Sequence, residues 1–502
     1  MSGFVALVLC LGLIGYLLWT DRRGAKDVSA AVWIPFLWMF FAGSRYAGQW
    51  LALGAPTQMS AEDYSEGSPL DRAVFLVLVT AGIVVLLRRR INWESLTREN
   101  KWVFAYFAFA LMSVLWSDEP VVALKRWTKG LGNVVMALVL LTERRPIAAL
   151  GVTMRRLGYV LLPLSVLFIR FYPDLGRTYH MGQPMFTGVA FTKNSLGQLC
   201  LLISTYLLWE LIFFRRALLA ADRGPPLVVY AICLAMAGWL LFMADSATCN
   251  ALVGVVGAML AVASIPAFRR DPRRLVIFWV LTITAIAVME FAFDIREEII
   301  RLLGRAPDLT TRAPIWDMLI QLAPNHWIGA GYESFWTGDR MLEVWRRLGS
   351  KDGGIIQAHN GYIETYLNLG AVGLSLLILA ILGGGLQAIN SLRESYGEGL
   401  LRLLFIAVAV IYNYTEAAYK PVHNVFVLLL FAMIHVRVRQ LPKAPTRALR
   451  SPKPQYGRKP LGGRVQLSME TLSESASPLR HDRTAGVAKI STWSVGRGGD
   501  GQ

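Results

Sequence analysis

The sequence predicts an all-α protein that crosses a membrane many times. Hydrophobic residues make up 55% of the 502-residue chain and charged residues only 17%, whereas a soluble chain carries about a quarter charged residues. Apolar runs of roughly 16 to 25 residues recur along most of its length, and runs of that length span a bilayer as helices. The connectors between the runs alternate in charge, as expected of a chain that passes back and forth.

The basic composition does not indicate a nucleic-acid-binding protein. The formal net charge is +17, which in a soluble chain would suggest nucleic acid as a partner. Here Lys and Arg lie in short connectors between apolar runs, so no nucleic-acid partner is expected. The cysteines lie inside apolar runs, where they are expected to be small packing residues and not a disulfide or metal framework; they are Cys10, Cys200, Cys233 and Cys249.

We predict about 12 to 13 transmembrane helices from these runs. They are placed at residues 4–19, 31–53, 72–87, 102–116, 123–141, 157–171, 195–214, 226–244, 247–265, 275–293, 361–386, 400–413 and 421–437. Basic residues (Arg22, Arg23 and Lys26) follow the first run and do not precede it. A cleaved signal peptide has the reverse order, so Met1–Trp19 is predicted to be a retained span with its N-terminus outside.

The charges of the connectors predict the orientation of the chain. One set is rich in Arg and Lys: 21–27, 88–101, 143–156, 215–223, 269–274 and 391–402. The alternate set is acidic or mixed: 55–71, 117–120, 171–194 and 294–360. Since positively charged connectors stay in the cytoplasm, the second set is predicted to face outward.

These patterns divide the chain into a membrane domain and a tail. Residues 1–437 are predicted to form one polytopic membrane domain, in which 294–360 is a large outward loop. The loop is rich in Trp and carries an amphipathic piece at Ile315–Leu322, which argues that it is ordered. Residues 438–502 are rich in Arg, Lys, Pro, Ser and Gly, and we predict a basic, disordered cytoplasmic tail that lies against anionic lipid head groups.

His359 is the principal candidate for chemistry. A polar, Gly-rich stretch (351–357) runs into the pair His359-Asn360, and a long apolar run follows. Imidazole titrates near neutrality and can take a proton from a hydroxyl. If Asn360 caps the following helix, His359 lies at the positive end of the helix dipole. A lone histidine at such a junction is more often an interfacial residue satisfied by hydrogen bonds.

Several further polar residues fall on the same predicted outer side. Arg312 suits bidentate binding of phosphate oxygens, and Glu416 lies at the outer end of a span, where an unpaired carboxylate is expensive. Glu416 is therefore expected to pair with a nearby cation. The other members of the set are Arg126, Arg177, Lys193 and Asn194. Cations are disfavoured on the outer side, so this group suggests an anionic ligand, and specifically a lipid-linked phosphate.

At these residues the sequence resembles the O-antigen ligase and polymerase superfamily. The resemblance covers about residues 100 to 435, and its closest likeness is to polymerases of bacterial exopolysaccharide such as succinoglycan. The matching segments are Trp116-Ser-Asp-Glu-Pro120, Phe191-Thr-Lys-Asn-Ser-Leu-Gly197, Leu309-Thr-Thr-Arg-Ala-Pro-Ile-Trp316, Gly329-Ala-Gly-Tyr-Glu-Ser-Phe335, His359-Asn-Gly-Tyr362 through Gly373, and Asn413-Tyr-Thr-Glu416.

The resemblance implies a GT-C-like glycosyltransferase of the bacterial inner membrane with its active site facing the periplasm. The implied donor is a glycan on undecaprenyl pyrophosphate. The acceptor would be a growing polysaccharide or another lipid-linked unit for a polymerase, or the lipopolysaccharide core for a ligase. The reaction would be inverting and metal-independent, with no cofactor. Membrane lipids are implied partners, and the resemblance also admits proteins that regulate chain length and export the polymer.

The resemblance also assigns roles to residues. His359 and Arg312 fall on the family's loop His and loop Arg and would be catalytic. Arg177, Lys193, Asn194, Asn360, Glu416 and Arg126 would bind substrate. Many members carry a further Arg in the region of Asp245, but this chain reads Ala244-Asp-Ser-Ala-Thr-Cys249 there. Arg177 or Lys193 is expected to supply the missing cation.

Two other functional classes remain as alternatives. A lipid-linked sugar flippase or exporter would carry ionisable residues near the bilayer midplane, whereas here Glu210 and Glu290 lie near predicted span ends. A membrane protease needs a nucleophilic Ser in a Gly-x-Ser-Gly setting, and the segment Gly373-Leu-Ser-Leu376 lacks the second Gly. Polymerase and ligase use the same donor, and the residues do not distinguish between them.

Overall fold

The all-α, polytopic class is confirmed by a computed structural model. It describes residues 2–22, 28–53, 68–180, 182–220, 224–293, 308–349 and 354–437. The predicted tail (438–502) and the predicted loop residues 294–307 and 350–353 lie outside the described residues. The described strands form one two-stranded antiparallel hairpin, in which Arg177 is paired with Phe186.

The N-terminal half of the chain is a series of helices. They are α1 (Gly3–Thr20), a 3₁₀ turn (Ala30–Val32) leading into α2 (Trp33–Gly43), α3 (Ala47–Leu51), α4 (Pro69–Arg88), α5 (Trp93–Glu99), α6 (Lys101–Met112) with a 3₁₀ turn (Ser113–Trp116), α7 (Pro120–Leu141), α8 (Pro146–Phe171) and α9 (Pro173–Gly176).

The hairpin β1 (Arg177–His180) and β2 (Gln183–Phe186) precedes the remaining helices. These are α10 (Lys193–Trp209) with a π-helical turn (Glu210–Phe214), α11 (Arg215–Ala220), α12 (Leu227–Ala244), α13 (Ala247–Ser264), α14 (Pro266–Arg270), α15 (Pro272–Phe293), α16 (Asp308–Gln321), α17 (Gly338–Arg347), α18 (Gly361–Glu394), α19 (Tyr396–Thr415) and α20 (Asn424–Met433).

Local sequence signals account for several helix starts. Ser68 and Asp71 form a capping box at α4, and Thr192 caps α10 through a hydrogen bond from the Ser195 amide at 3.1 Å. Asn360 caps α18 by accepting from the amides of Tyr362 and Ile363 at 3.0 and 3.1 Å. Each cap satisfies amides that the first turn of a helix leaves without partners.

The enclosed centre of the bundle is formed by α8, α10 and α20. Helix α8 packs against α1, α2 and α12, while α10 packs against α12 and α13. Every residue of α20 is buried, where α19, α7 and α18 surround it. Helix α18 packs along α19 and α6, so the residues before α18 and after α19 lie at one end of a tightly packed pair.

Eight described helices are long and apolar enough to cross a membrane. They are α1, α4, α8, α10 with its π turn, α12, α13, α18 and α19. The predicted number of about 12 to 13 is therefore not reached by this criterion. The predicted span 31–53 is divided into α2 and α3. The predicted span 421–437 contains only the ten residues of α20, whose length of about 15 Å is half a hydrocarbon core.

One predicted cytoplasmic connector is wrong in its local structure. The sequence suggested that 143–156 was a charged connector, but α8 begins at Pro146 and Arg155 is buried. The Arg155 guanidinium is paired with Asp21 at 2.8 Å and with Glu210. Tyr206 and Tyr230 donate hydrogen bonds to the Glu210 carboxylate at 2.8 and 2.9 Å. These charges join α1, α8, α10 and α12 because each compensates a neighbour that would otherwise be buried unpaired.

Helix α18 is broken at Gly370, which has φ 64° and ψ −168°. At this break, backbone amides and carbonyls of α18 lose their partners within the helix. The loop before α17 supplies new partners for them. Ala330 and Gly331 amides donate to the carbonyls of Leu367 and Asn368 at 3.1 and 2.8 Å. The carbonyls of His326 and Trp327 accept from the amides that follow Gly370 at 2.8 and 3.1 Å. The loop 326–331 is thereby fixed to both pieces of α18, whose N-terminal piece begins two residues after His359.

Candidate active site

The short segment that carries His359 is held by hydrogen bonds on both sides. The Ala358 amide donates to Glu364 Oε2 at 2.8 Å, and the Ala358 carbonyl accepts from Trp316 Nε1 at 2.8 Å. Asn360 donates to the Tyr414 carbonyl at 3.2 Å while it caps α18, so the predicted cap is confirmed. His359 itself has φ 51°, a left-handed conformation that is uncommon outside glycine.

His359 faces the carboxylate of Glu416, the residue that follows α19. His359 Nδ1 lies 3.3 Å from Glu416 Oε2, and the other oxygen, Oε1, accepts from Asn194 Nδ2 at 2.7 Å. The Gly361 amide donates to the Glu416 carbonyl at 3.1 Å, which joins the start of α18 to the end of α19. Among the described contacts, the side-chain partners of the Glu416 carboxylate are the His359 imidazole and the neutral Asn194 amide. With Nδ1 directed at Glu416, Nε2 of the imidazole is left for a substrate.

Arg312 lies beside this pair. It belongs to α16, and its Nη1 donates to the Thr415 carbonyl at 2.7 Å, one residue before Glu416. The Thr415 hydroxyl in turn lies 2.8 Å from the hydroxyl of Thr248 on α13. The structure therefore brings together Arg312, His359, Asn194 and Glu416, which come from four separate parts of the sequence.

A lysine outside the predicted set also approaches His359. Lys420 Nζ donates to Gln357 Oε1 at 3.2 Å, and Gln357 Nε2 lies 3.3 Å from His359 Nδ1. Lys420 precedes Pro421 in the loop between α19 and α20. Gln357 therefore bridges Lys420 and His359, and the Lys420 ammonium group places a positive charge near the imidazole.

Two further carboxylates, Glu364 and Glu333, lie near the His359 segment and near each other. Glu364 is buried in the first turn of α18 and accepts from Ala358 and from Trp336 Nε1. Glu333 belongs to the loop before α17, and Arg126 of α7 donates to its backbone carbonyl. Burial, the first cause, and the nearby Glu364 carboxylate raise the pKa of Glu333 to about 7, against the opposing charges of Arg126 and Lys420.

Lys193 and Arg177 occupy different positions. Lys193 begins α10 and lines an open groove of about 960 Å³, its solvent-filled mouth included, together with Met185, Phe242, Met243 and Asp245. Arg177 donates from Nε and Nη2 to the Ile169 carbonyl at 3.1 and 2.8 Å and lies over the Phe186 ring. Lys193 is thus the predicted cation that lies in the Asp245 region, whereas Arg177 satisfies the C-terminal end of α8.

Sequence reasoning missed Glu333, Glu364, Gln357 and Lys420. Glu333 lies inside the quoted segment Gly329–Phe335, and the two glycines that precede it, Gly329 and Gly331, have φ 68° and 98°. Such a glycine pattern signals a tight loop, and the acid within it could have been singled out. The approach of Lys420 and Gln357 depends on contacts between distant segments, for which the sequence carries no local signal.

Two comparisons with known proteins agree with the superfamily resemblance and confirm it. Residues 231–378 match the family model described as O-antigen ligase. The chain is also 26% identical over 290 residues to the exopolysaccharide production protein ExoQ of Rhizobium meliloti (strain 1021), covering 56% of this chain and 63% of that relative. The matched family region contains Arg312 and His359. It ends before Glu416 and begins after Arg126, Arg177 and Lys193.

Proposed function

We propose that this chain, which is related to the O-antigen ligase and polymerase family, is a membrane glycosyltransferase that joins oligosaccharide repeat units carried on undecaprenyl pyrophosphate. The observation that carries the proposal is the pairing of His359 with Glu416 beside Arg312. This arrangement supplies a base for a sugar hydroxyl and a cation for a leaving phosphate. The family match and the exopolysaccharide-producing relative support this chemistry.

The proposed reaction is a displacement at the anomeric carbon of the donor. The acceptor hydroxyl oxygen bonds to that carbon with inversion, and its proton passes to His359 Nε2. The bond between the anomeric carbon and the pyrophosphate oxygen breaks, and the electron pair leaves with the pyrophosphate. Glu416 holds the imidazole through Nδ1 and stabilises the imidazolium that forms. No metal is required in this scheme, because protein cations take up the developing charge.

Arg312 and Lys193 are proposed to neutralise the pyrophosphate. A cation has its largest effect where negative charge develops. Arg312 binds the carbonyl of Thr415, the residue before Glu416, and so lies near the proposed base His359. Lys193 lines a groove with Met185, Phe242 and Met243, whose apolar side chains suit a polyprenyl chain. Lys193, and not Arg177, is therefore proposed to take the place of the family Arg missing near Asp245. Arg126, Arg177 and Asn360 are proposed to position the segments that line the site.

The site is proposed to face the periplasm of a bacterial inner membrane. The charge alternation of the connectors supports this orientation, since the segments that carry His359, Arg312 and Lys193 all belong to the acidic or mixed set. A donor flipped to that face would reach His359 from the outer leaflet. Proteins that set chain length or export the polymer are proposed partners on the same face.

The proposal is tested with purified protein and a lipid-linked repeat unit. His359→Ala is expected to lower the transfer rate about 10²- to 10⁴-fold, because a positioned base contributes on that order. His326→Ala is the matched control: this exposed histidine of the loop before α17 bonds to Tyr366 at 2.7 Å, and its variant is expected to keep the wild-type rate. Wild-type product formation by His359→Ala would overturn the assignment.

The same assay separates the two family activities. The exopolysaccharide-producing relative favours polymerisation, in which a ladder of products grows from the lipid-linked unit alone. The family description favours ligation, in which the protein stays inert until a lipopolysaccharide core is added. We expect the ladder.

A further inference from the structure

We propose that a narrow polar cleft beside the His359 segment binds the acceptor sugar by one hydroxyl-bearing edge, with Glu333 as an acceptor-binding residue. This inference rests on the proposed glycosyl transfer. The cleft has an empty volume of about 200 Å³, mouth included. It is lined by Tyr106, Tyr332, Glu333, Glu364, Thr365 and Tyr419. Of this volume, about 10 Å³ is open to a water-sized group, which is enough for one hydroxyl and leaves the sugar ring outside.

The position of the cleft suits an acceptor. Glu364 lines it and also holds the Ala358 amide at 2.8 Å, immediately before His359. The groove that contains Lys193 is connected to the same histidine through Asn194, the next residue, and Glu416. A donor in the groove and an acceptor in the cleft would therefore meet at His359.

The lining favours an uncharged sugar over an anion. Two carboxyl groups repel phosphate, and Arg126 and Lys420 offset their charge so that a cation is not attracted either. Aromatic side chains offer apolar faces for the C–H groups of a sugar and polar tips for its hydroxyls. The pKa of Glu333, raised to about 7 mainly by burial, leaves its carboxyl partly protonated near neutral pH. It can then both donate and accept a hydrogen bond.

Two features of the loop indicate that the cleft is more than a packing defect. Glu333 adopts φ 53°, and strained non-glycine residues cluster at functional sites. The strain is maintained because the loop is fixed on both sides: the Tyr332 amide donates to Ser113 Oγ at 2.9 Å, and Ser117 Oγ donates to Ser334 Oγ at 2.9 Å. The Tyr332 hydroxyl is buried and has no hydrogen-bond partner within the described part of the chain.

The test measures saccharide binding by the full chain separately from transfer. The probe is the free oligosaccharide released by mild acid from the lipid-linked glycans of the same cells, so it carries neither pyrophosphate nor lipid. Saturation-transfer NMR gives its Kd for wild type, Glu333→Gly, Glu333→Gln and His359→Ala. Glu333→Gly removes the carboxyl while suiting the left-handed backbone, so it is expected to fold. Glu343→Gln is the control, since Glu343 bonds to Arg346 and Arg347 of its own helix.

The expected pattern is specific to an acceptor site. Glu333→Gly raises the Kd at least about tenfold, because the carboxyl and its hydrogen bonds are lost. Glu333→Gln stays within about threefold of wild type, since an amide also donates and accepts. His359→Ala still binds the saccharide through Glu333, while its transfer rate is lowered about 10²- to 10⁴-fold. Wild-type affinity in Glu333→Gly, or no binding by the wild type, would overturn the inference.

Failure of the inference and failure of the proposed function give different results. If wild type binds the saccharide in a Glu333-dependent way but transfers nothing from a lipid-linked donor, the saccharide site is supported and the glycosyltransferase proposal is contradicted. If wild type transfers glycan and Glu333→Gly keeps the wild-type Kd and KM, the glycosyltransferase proposal is supported and the acceptor site at Glu333 is contradicted.

Discussion

His359 adopts an unusual backbone conformation, with φ 51°, where it contacts Glu416. A left-handed φ costs a non-glycine residue roughly 1 kcal/mol or more, and such strain persists where neighbours over-determine it. Here Trp316, Glu364 and the cap formed by Asn360 hold the segment from both sides. The imidazole is therefore held in place by the protein alone, and in the proposed reaction this positioning would lower the entropic part of the barrier.

Glu416→Gln is expected to lower kcat about 10²-fold with little change in KM, because a small misplacement of a base has an effect of that order. The glutamine keeps an oxygen for Asn194 but presents an amide where the carboxylate faced His359 Nδ1. Steady-state kinetics with the lipid-linked donor measure the effect, with Glu343→Gln as the control for removal of a carboxylate. An unchanged kcat would show that Glu416 does not position the base.

Glu333 is expected to make the stability of the fold depend on pH. Its pKa is raised from the ordinary 4.5 to about 7, chiefly by burial, so the folded state binds more protons than the unfolded state between those values. Stability therefore falls as the pH rises from about 4.5 to about 7, by an amount on the order of 3 kcal/mol. In Glu333→Gln this contribution is absent.

Thermal unfolding of the purified protein measures this difference. The wild type and Glu333→Gln are expected to have similar Tm values at pH 5, and the variant the higher Tm at pH 8. Other groups titrate in both proteins, so the informative quantity is the difference between the Tm of the wild type and the Tm of the variant at each pH. Parallel curves from pH 5 to pH 8 would contradict the assignment of the shift to Glu333.

At the scale of elements, the break in α18 determines where the site forms. The N-terminal piece of α18 carries Glu364, and the backbone bonds across the break attach the loop that contains Glu333. A continuous helix would leave that loop without these partners. Gly370 makes the break possible, because a Cβ there would lie 2.2 Å from the Trp327 carbonyl carbon.

Gly370→Ala is expected to destabilise the protein by roughly 3 kcal/mol or more, since left-handed strain and overlap with backbone add together. The transfer rate should fall as well, because Glu364 and the His359 segment lose their support. Gly385→Ala is the matched control in the same helix: its Cβ would meet nothing within 4 Å, and alanine is favoured in a helix interior by about 0.5–1 kcal/mol. Equal Tm values for the two variants would contradict this account of the break.

The sequence predicted the elements whose signals are local. Apolar runs located α1, α12 and α13 to within a residue or two, and Asn360 was expected to cap α18. The break at Gly370 was missed because its compensating carbonyls come from His326 and Trp327, more than forty residues earlier. In the same way His359, Arg312 and Glu416 were selected by residue type, whereas Glu333 and Lys420 are recognisable only once distant segments are in contact.

At the scale of the whole molecule, buried charges stabilise the packing of helices, whereas charges in the connectors affect the orientation of the chain in the membrane. Arg155, Asp21 and Glu210 lie in the protein interior and compensate one another, so they stabilise the packing of α1, α8 and α10. Exposed Lys and Arg in the connectors instead govern orientation through the positive-inside rule. Reading 143–156 as a connector failed because both kinds of arginine look alike in a sequence.

Orientation is testable because the four native cysteines are all buried and should give little background labelling. Cysteine is introduced singly at two exposed positions, Asp339→Cys in α17 and Glu94→Cys in α5. A membrane-impermeant maleimide is expected to label Asp339→Cys in intact cells and Glu94→Cys only after the inner membrane is permeabilised, because the latter follows the Arg-rich segment 88–90. Both variants should react fully in detergent, which controls for accessibility. The reverse pattern would place His359 and its partners on the cytoplasmic side, where the lipid-linked donor is not yet flipped. It would contradict both the periplasmic assignment and the route proposed for the donor.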